Sequence, residues 1–438
     1  MKRLMAGVAL VAAATAAGAC KGGDKKGDAP AVAEQTAPDS GSGPVEVAYD
    51  PNEQGPTPEQ LIAMRRDASW ASVVQLDTTG SGRPIHFPEK WEQITADAVN
   101  HGAAALPISG DVGGPSVLRV QILLDKAYFS PGMMDGNWGK NTAEAIYWFQ
   151  KDNGLRATAR ADSATYARLM QAAGSPRELV VKRTLTAADV AGPFTTIPKD
   201  IYEHAKLDCS CYESLSEKLS EQFHSTKELL QKLNPGVNLD NVAAGQALNV
   251  PIVRPVDAPS RGTVADIVVS GKGTYVHGVD ASGKVLYHFP STLGATYSPS
   301  PSGQFAVATI TQNPVWHYQP KLLTGVSDTL PDATIPKGPN NAVGVVWMAL
   351  TAEHYGIHGT SSPETIGYAT SHGCIRLTNW DAAFFSRQLR RGVPVHFRDI
   401  AGAGGGTAPT NGPTAAAGAA ARTSPELGAA RASTAPSP

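Results

Sequence analysis

The spacing of apolar residues along this chain changes several times, and each change marks a unit. Between 116 and 155, Val117, Val120, Leu123 and Leu124 recur at helical spacing, Pro131-Gly132 and Asp135-Gly136 interrupt them, and Ala143, Ile146, Tyr147 and Phe149 resume. This predicts a helical hairpin, with Asn141 and Thr142 placed to cap its second helix. Between 211 and 253, Leu215, Leu219 and Phe223 form one helical face and Leu229, Leu230 and Leu233 the next; Pro235-Gly236 stops them, and a short strand follows at 247–253. Beyond Pro255 the period shortens to two. "ADIVVSGKGTYVHGVDASGKVLYHFPSTLG" predicts strands with "VDASGKV" as a hairpin connection, and "SPSPSGQFAVATI" and "AVGVVWMALT" predict further strands. "DAAFFSRQLRRGVPVHF" closes the unit as a helix with Phe384, Phe385 and Leu389 inward, then a strand at 393–397 after the Gly392 stop.

The ends read differently. Lys2 and Arg3 followed by an apolar stretch at 4–19, too short to span a bilayer, read as an export signal over 1–20. Ala17, Gly18 and Ala19 before Cys20 resemble a bacterial lipoprotein cleavage box. That resemblance implies lipidation of Cys20, a membrane tether and, with Lys21 next, placement in the periplasm at the outer membrane. Ordinary signal cleavage at the same small residues is the alternative. Segments 21–56 and 399–438 are rich in Gly, Pro and Ala and poor in large apolar residues; they read as a disordered linker and a disordered tail. Between 58 and 110 lie apolar-periodic pieces, around Leu61, Met64, Trp70 and Val73 and again at "PEKWEQITADAVN", with no functional signal.

The 438 residues, with 44 Gly and 33 Pro, suit about two to four compact units. A formal net charge of −2 and the lack of a dense Lys/Arg run argue against a nucleic-acid partner. In an oxidising compartment, four cysteines become informative. Lipidation would consume Cys20, Cys209 and Cys211 are close enough in "DCSCY" to pair, and Cys374 is left alone. It stands beside Gly373 and His372, with His358 and Gly359 upstream. A thiol acts as its thiolate and needs a proton acceptor, which histidine supplies near neutral pH, while glycine frees backbone amides to face an oxyanion. These residues therefore suit acyl transfer. An inert buried thiol and a zinc site are the alternatives, but His372 and Cys374 are only two apart with no paired carboxylate or fourth ligand beside them.

Three resemblances organise these signals. "DGNWGKNTAEAIYWFQKDNGL", through Asp135, Gly136, Trp138, Gly139, Thr142, Ala145, Phe149, Gln150, Gly154 and Leu155, resembles a three-helix peptidoglycan-binding domain at about 112–172, within a helical region 57–172. Leu233, Asn234, Gly236, Leu239, Gly245, Gln246, Leu248, Val250 and Pro251 resemble a divergent lysin-motif domain at 200–253, an α+β strand-helix-helix-strand unit that binds glycans. His358-Gly359-Thr360, followed by Ser371-His372-Gly373-Cys374-Ile375-Arg376-Leu377, matches the signature of the L,D-transpeptidase catalytic domain over 262–398, together with "SPSPSGQF", "PKGPNNAVG" and Asn379, Asp381 and Ala382.

The last resemblance implies a mostly-β, β-sandwich-like catalytic domain with one or two helices, acting on peptidoglycan without metal or organic cofactor. Cys374 is the implied nucleophile and His358 the base, oriented by the Gly359 carbonyl. His372 and Gly373 fall in the oxyanion-hole region, and Arg376, Thr360 and Ser371 are expected to contact substrate. The implied reaction releases D-Ala from a tetrapeptide stem through a thioester and forms a 3→3 cross-link. Water as acceptor would make an L,D-carboxypeptidase or an amidase instead, and a non-catalytic wall-binding lipoprotein is the third reading.

Overall fold

The computed structural model describes residues 87–400 apart from Thr324. The export signal, Cys20, the linker, the piece around Leu61 to Val73 and the tail from 401 lie outside the described residues.

The first unit is helical: α1 (Ala96–His101), α2 (Pro115–Lys126), α3 (Lys140–Asp152) and α4 (Ser163–Ala172). The apolar stripe on α2 is buried as expected, but Ser116, Gln121 and Asp125 on its other faces are buried too: Ser116 bonds Glu89 and Gln121 the turn at 135–137 within the same unit, and Asp125 bonds His224 and Arg254 further along the chain. Its polar residues are accordingly paired. The Gln121 side chain accepts from Gly136 N and donates to Asp135 Oδ1, closing the turn that holds Gly136 at φ +74°. The expected cap is corrected: Gly139 precedes α3, and Asn141 and Thr142 lie inside its first turn. The Tyr368 hydroxyl stands 2.6 Å from where a Gly139 Cβ would be, and Asn141 Nδ2 donates to Ile366 O.

Next, β1 (Val180–Thr184), α5 (Ala187–Val190), α6 (Ile201–His204), α7 (Leu215–Gln222), α8 (Lys227–Leu233) and β2 (Ala247–Pro251) form a strand-helix-helix-strand unit with an insertion. β1 pairs antiparallel with β2, Val180 opposite Pro251, so the unit starts before residue 200. Only Val180 of β1 is buried, so the strand carries no alternation to read. Ser214 and Thr226 cap the two longer helices. In the insertion, Cys209 and Cys211 form a disulfide, and Ser210 between them exchanges backbone bonds with Lys337 and Asn340.

The third unit contains β3 (Asp266–Ser270), β4 (Tyr275–Val279), β5 (Val285–Pro290), β6 (Gly303–Gln312), β7 (Trp316–Tyr318), β8 (Ala333–Ile335), β9 (Val346–Leu350), β10 (Gly356–His358), β11 (Ile375–Arg376), α9 (Asn379–Gln388) and β12 (Pro394–Arg398). Eight strands run in the order β11-β10-β9-β6-β12-β3-β4-β5, and β7 and β8 pair separately. The early part of β6 pairs with β12 and the later part with β9, with an irregularity between Val307 and Thr309, where a bulge bends a strand from one half-sheet into the other. Phe384 and Phe385 of α9 pack with Tyr287, Phe289, Met348, Ile357 and Ile375. Each such buried side chain contributes about 1.5–3 kcal/mol.

The three units share buried polar contacts. Tyr128 O and Ser130 N bond β5 at His288, covering the edge of the large sheet. Asp125 of α2, His224 between α7 and α8, Arg254 and Asp381 of α9 form one buried network. Among the described residues, Asp125, His224 and Asp381 are the ligand-type side chains that converge closely enough to hold a metal, but Arg254 Nη2 already bonds Asp381 Oδ1 at 2.9 Å there.

Candidate active site

β10 lies between β9 and β11. It is antiparallel to β9, with His358 opposite Trp347, and parallel to β11, with His358 opposite Arg376. Opposed residues share a face, so His358 and Arg376 belong to one face; Cys374, in the bend that leads into β11, is close enough for the Arg376 charge to reach it as it reaches His358. Pairing of two short strands thus brings together the two halves of the motif.

His358 is buried, and its Nδ1 lies 2.6 Å from the Gly359 carbonyl oxygen. A carbonyl only accepts, so Nδ1 carries the proton and the neutral ring keeps its lone pair on Nε2. The Trp347 ring, 5.3 Å away and tilted by 30°, packs along the imidazole. Burial, then the nearby Arg376 charge, pushes His358 down to about 3, against the opposing Gly359 bond. Burial pushes the Cys374 thiol up, although a Gly356 backbone bond and Arg376 favour its thiolate. Cys374 Sγ donates to His354 O at 3.6 Å. Thiol and imidazole therefore rest as a neutral pair, and the proton must move as the nucleophile attacks.

The turn before β11 is built tightly. Gly373 has φ +109°, and a Cβ there would stand 2.8 Å from the Tyr355 ring, so glycine is required on both counts. Ser371 Oγ donates to Cys374 O at 2.6 Å and accepts from Gly373 N, while Ser300 Oγ donates to Gly373 O. Ser371 is thus buried and engaged with its own turn. Thr360 is likewise buried, its hydroxyl accepting from Ser362 N. Both hydroxyls bond backbone groups of their own turns. His372 and Arg376 are half-buried, with the half-exposed Tyr297 ring edge-on to His372.

Residues of the site whose positions gave no chemical signal in the sequence are Trp347, Ser300, Tyr355 and Asn379. Ser300 and Asn379 stand in matched motif text, but only the fold shows what they bond.

A pH consequence follows from the neutral pair. With His358 pushed down to about 3, the base stays unprotonated through mildly acid conditions, so the acid limb of kcat/KM is expected below pH 4. Alkylation of Cys374 by iodoacetamide is expected to climb steadily with pH above 7, since burial raises the thiol. A plateau of thiolate reactivity between pH 5 and 7 would instead reveal a preformed ion pair. The same shift bears on stability. A depressed His358 contributes stability that is present above its ordinary 6.5 and lost as pH falls toward 3.

Comparison with known proteins agrees with this geometry. A model of the L,D-transpeptidase catalytic domain matches residues 264–397, and one of a putative peptidoglycan binding domain matches 113–169. A putative L,D-transpeptidase, YkuD, of Bacillus licheniformis is 30% identical over 180 residues, spanning 41% of this chain and 90% of that protein. A probable L,D-transpeptidase, YbiS, of Escherichia coli is 27% identical over 189 residues, spanning 42% of this chain and 60% of that protein. A crystal structure of an L,D-transpeptidase (residues 123–326) from Xylanimonas cellulosilytica is 15% identical, covering 68% of this chain and 99% of that one at a TM-score of 0.30, too low to carry an argument. Nearly the full length of the first relative is matched at this identity, and the catalytic model spans the sheet that holds His358 and Cys374: the chain belongs to the L,D-transpeptidase family.

Proposed function

We propose that this L,D-transpeptidase forms 3→3 cross-links in peptidoglycan through a thioester on Cys374. The observation that carries the reading is the His358 Nδ1 bond to the Gly359 carbonyl, which leaves Nε2 as the ring's basic nitrogen, on a strand paired with the one that Cys374 leads into. As the stem carbonyl between the diamino residue and D-Ala approaches, the Sγ proton passes to Nε2 and sulfur attacks the carbon. The negative oxygen is met by backbone amides of the turn at 372–374. Gly373 N gives up its Ser371 partner if it takes part. Each such donor is worth about 3 kcal/mol of barrier. When the carbon–nitrogen bond breaks, His358 returns the proton to the D-Ala amine, and a thioester remains. The side-chain amine of a second stem then attacks the thioester, His358 takes the amine's proton, and the thiol is regenerated. Arg376, whose charge reaches both Cys374 and His358, steadies the thiolate and the substrate's carboxylate.

The N-terminal segment supports export and, through Cys20, attachment to the outer membrane facing the wall. The helical unit matched as peptidoglycan-binding supports the same substrate.

Incubation with tetrapeptide-containing sacculi and mass analysis of the fragments tests the acceptor. Dimers joined through two third-position residues are expected, lost in Cys374→Ala. Tripeptides alone would assign water as acceptor and overturn the cross-linking reading.

A further inference from the structure

One side chain outside the Cys-His pair grips the peptide that orients the base. The peptide between Gly359 and Thr360 presents its carbonyl to His358 Nδ1 at 2.6 Å and its N–H, from Thr360, to Asn379 Oδ1 at 3.1 Å. A peptide unit is planar and stiff, so fixing its N–H end fixes the direction of its carbonyl. Asn379, the first residue of α9, is buried. Its Oδ1 also accepts from Val345 N at 3.2 Å, and its Nδ2 donates to Pro339 O at 3.2 Å and to Glu221 Oε2 at 3.0 Å. Two acceptor bonds and two donor bonds exhaust the amide, leaving it one orientation. A Cβ at Gly359 or at Gly344 would overlap Asn379 Oδ1, so these two glycines make room for the amide.

Glu221 belongs to α7, in the strand-helix-helix-strand unit, outside the catalytic sheet. Its Oε2 accepts from Asn379 Nδ2, while the Val345 and Thr360 N–H groups at Oδ1 and the Pro339 carbonyl at Nδ2 hold the amide in the same orientation. Burial pushes the Glu221 carboxyl up to about 8, so at neutral pH it is an uncharged acceptor for which glutamine is a close substitute.

We infer that Asn379 is a positioning residue for His358, acting through the Gly359–Thr360 peptide, and that Glu221 lends the strand-helix-helix-strand unit a direct part in orienting the catalytic base. This rests on the proposed Cys374–His358 acyl transfer. It assigns the accessory unit a task in catalysis that needs no glycan contact.

The test uses the full chain with four variants: Asn379→Ala, Glu221→Ala, Glu221→Gln and Cys374→Ala. D-Ala release from a disaccharide tetrapeptide, melting temperature and the ring nitrogen signals of 15N-histidine-labelled protein are measured on each. In the wild type, His358 is expected as the Nδ1–H form. Asn379→Ala is expected to lose that signature and about 100-fold in kcat, the scale of a misplaced catalytic group. Glu221→Ala is expected to lose about tenfold, the worth of one hydrogen bond, with KM within about twofold of wild type. Glu221→Gln is expected to restore the rate, because its carbonyl accepts from Asn379 Nδ2. Wild-type kcat and an unchanged His358 signature in Asn379→Ala would overturn the inference, as would Glu221→Gln as impaired as Glu221→Ala. If Asn379→Ala fails to fold, the Glu221 pair decides by the same readouts. D-Ala release surviving in Cys374→Ala would mark failure of the acyl-transfer reading instead.

Discussion

Replacing His358 with glutamine is expected to slow D-Ala release by about 10²–10⁴-fold, the range a positioned general base supplies. Glutamine nearly fills the space under Trp347, and its amide nitrogen can still donate to the Gly359 carbonyl, so the buried site keeps its shape and that bond. What it lacks is a basic nitrogen. The Cys374 proton then has no acceptor, and the thiol is held up by burial, so little thiolate forms at neutral pH. The residual rate of the variant is expected to rise as pH approaches the thiol's own raised value. The comparison is made by kcat/KM across pH 5–10 on both proteins. A variant within tenfold of wild type at pH 7 would remove His358 from the mechanism.

The second large effect concerns stability. Arg254→Met is expected to cost about 3–5 kcal/mol, the usual cost of breaking a buried ion pair from one side. Arg254 Nη2 bonds Asp381 Oδ1, its backbone N donates to Asp125 Oδ2 at 2.6 Å, and its guanidinium lies 3.8 Å from the centre of the Phe384 ring. Burial alone would push Asp125 up, but the His224 hydrogen bond and the Arg254 charge hold it below the usual carboxylate range. Removing the guanidinium leaves two buried carboxylates with His224, the Arg254 backbone N–H and the Ser130 hydroxyl as partners, and with the neighbouring fixed positive charge gone. Because the network's members come from all three units, the loss should spread to each of them. Urea unfolding followed by intrinsic fluorescence checks this. The double variant Arg254→Met, Asp381→Asn is expected to regain part of the loss, since one of the stranded charges is then gone. A depressed Asp125 stabilises above its ordinary 3.8 and stops doing so as pH falls through its lower folded value. The Arg254→Met deficit is therefore expected to persist across the neutral range.

Much of this was legible in the sequence because the signals were local. The hairpin turn at Asp280, the Gly392 stop and inward-facing Phe384 and Phe385 lie where short-range patterning put them. So do His358 and Cys374, because their motif is long and its two halves pair strand to strand. What could not be read depends on contacts far along the chain. The burial of Asp125 on α2 could not be read because its partners His224 and Arg254 lie 99 and 129 positions on. β1 was invisible because four of its five residues are not buried. The cap of α3 was misplaced because the helix already begins at Lys140 and Asn141 turns instead to Ile366, 225 positions on. The bonds of Ser371 and Thr360 to their own backbone are visible only in three dimensions. Asn379 stood in a motif with nothing to mark it, and its partner Glu221 lies 158 positions earlier.

The proposed reaction passes through a stem peptide held as a thioester on Cys374. To trap it, the enzyme is incubated with a tetrapeptide donor and no amine acceptor, quenched in acid, and its intact and peptide masses determined. An adduct equal to the donor less D-Ala is expected on the peptide carrying Cys374, released by hydroxylamine and absent from Cys374→Ala. D-Ala release by the Cys374→Ala protein, or an adduct mapped to any other residue, would contradict it.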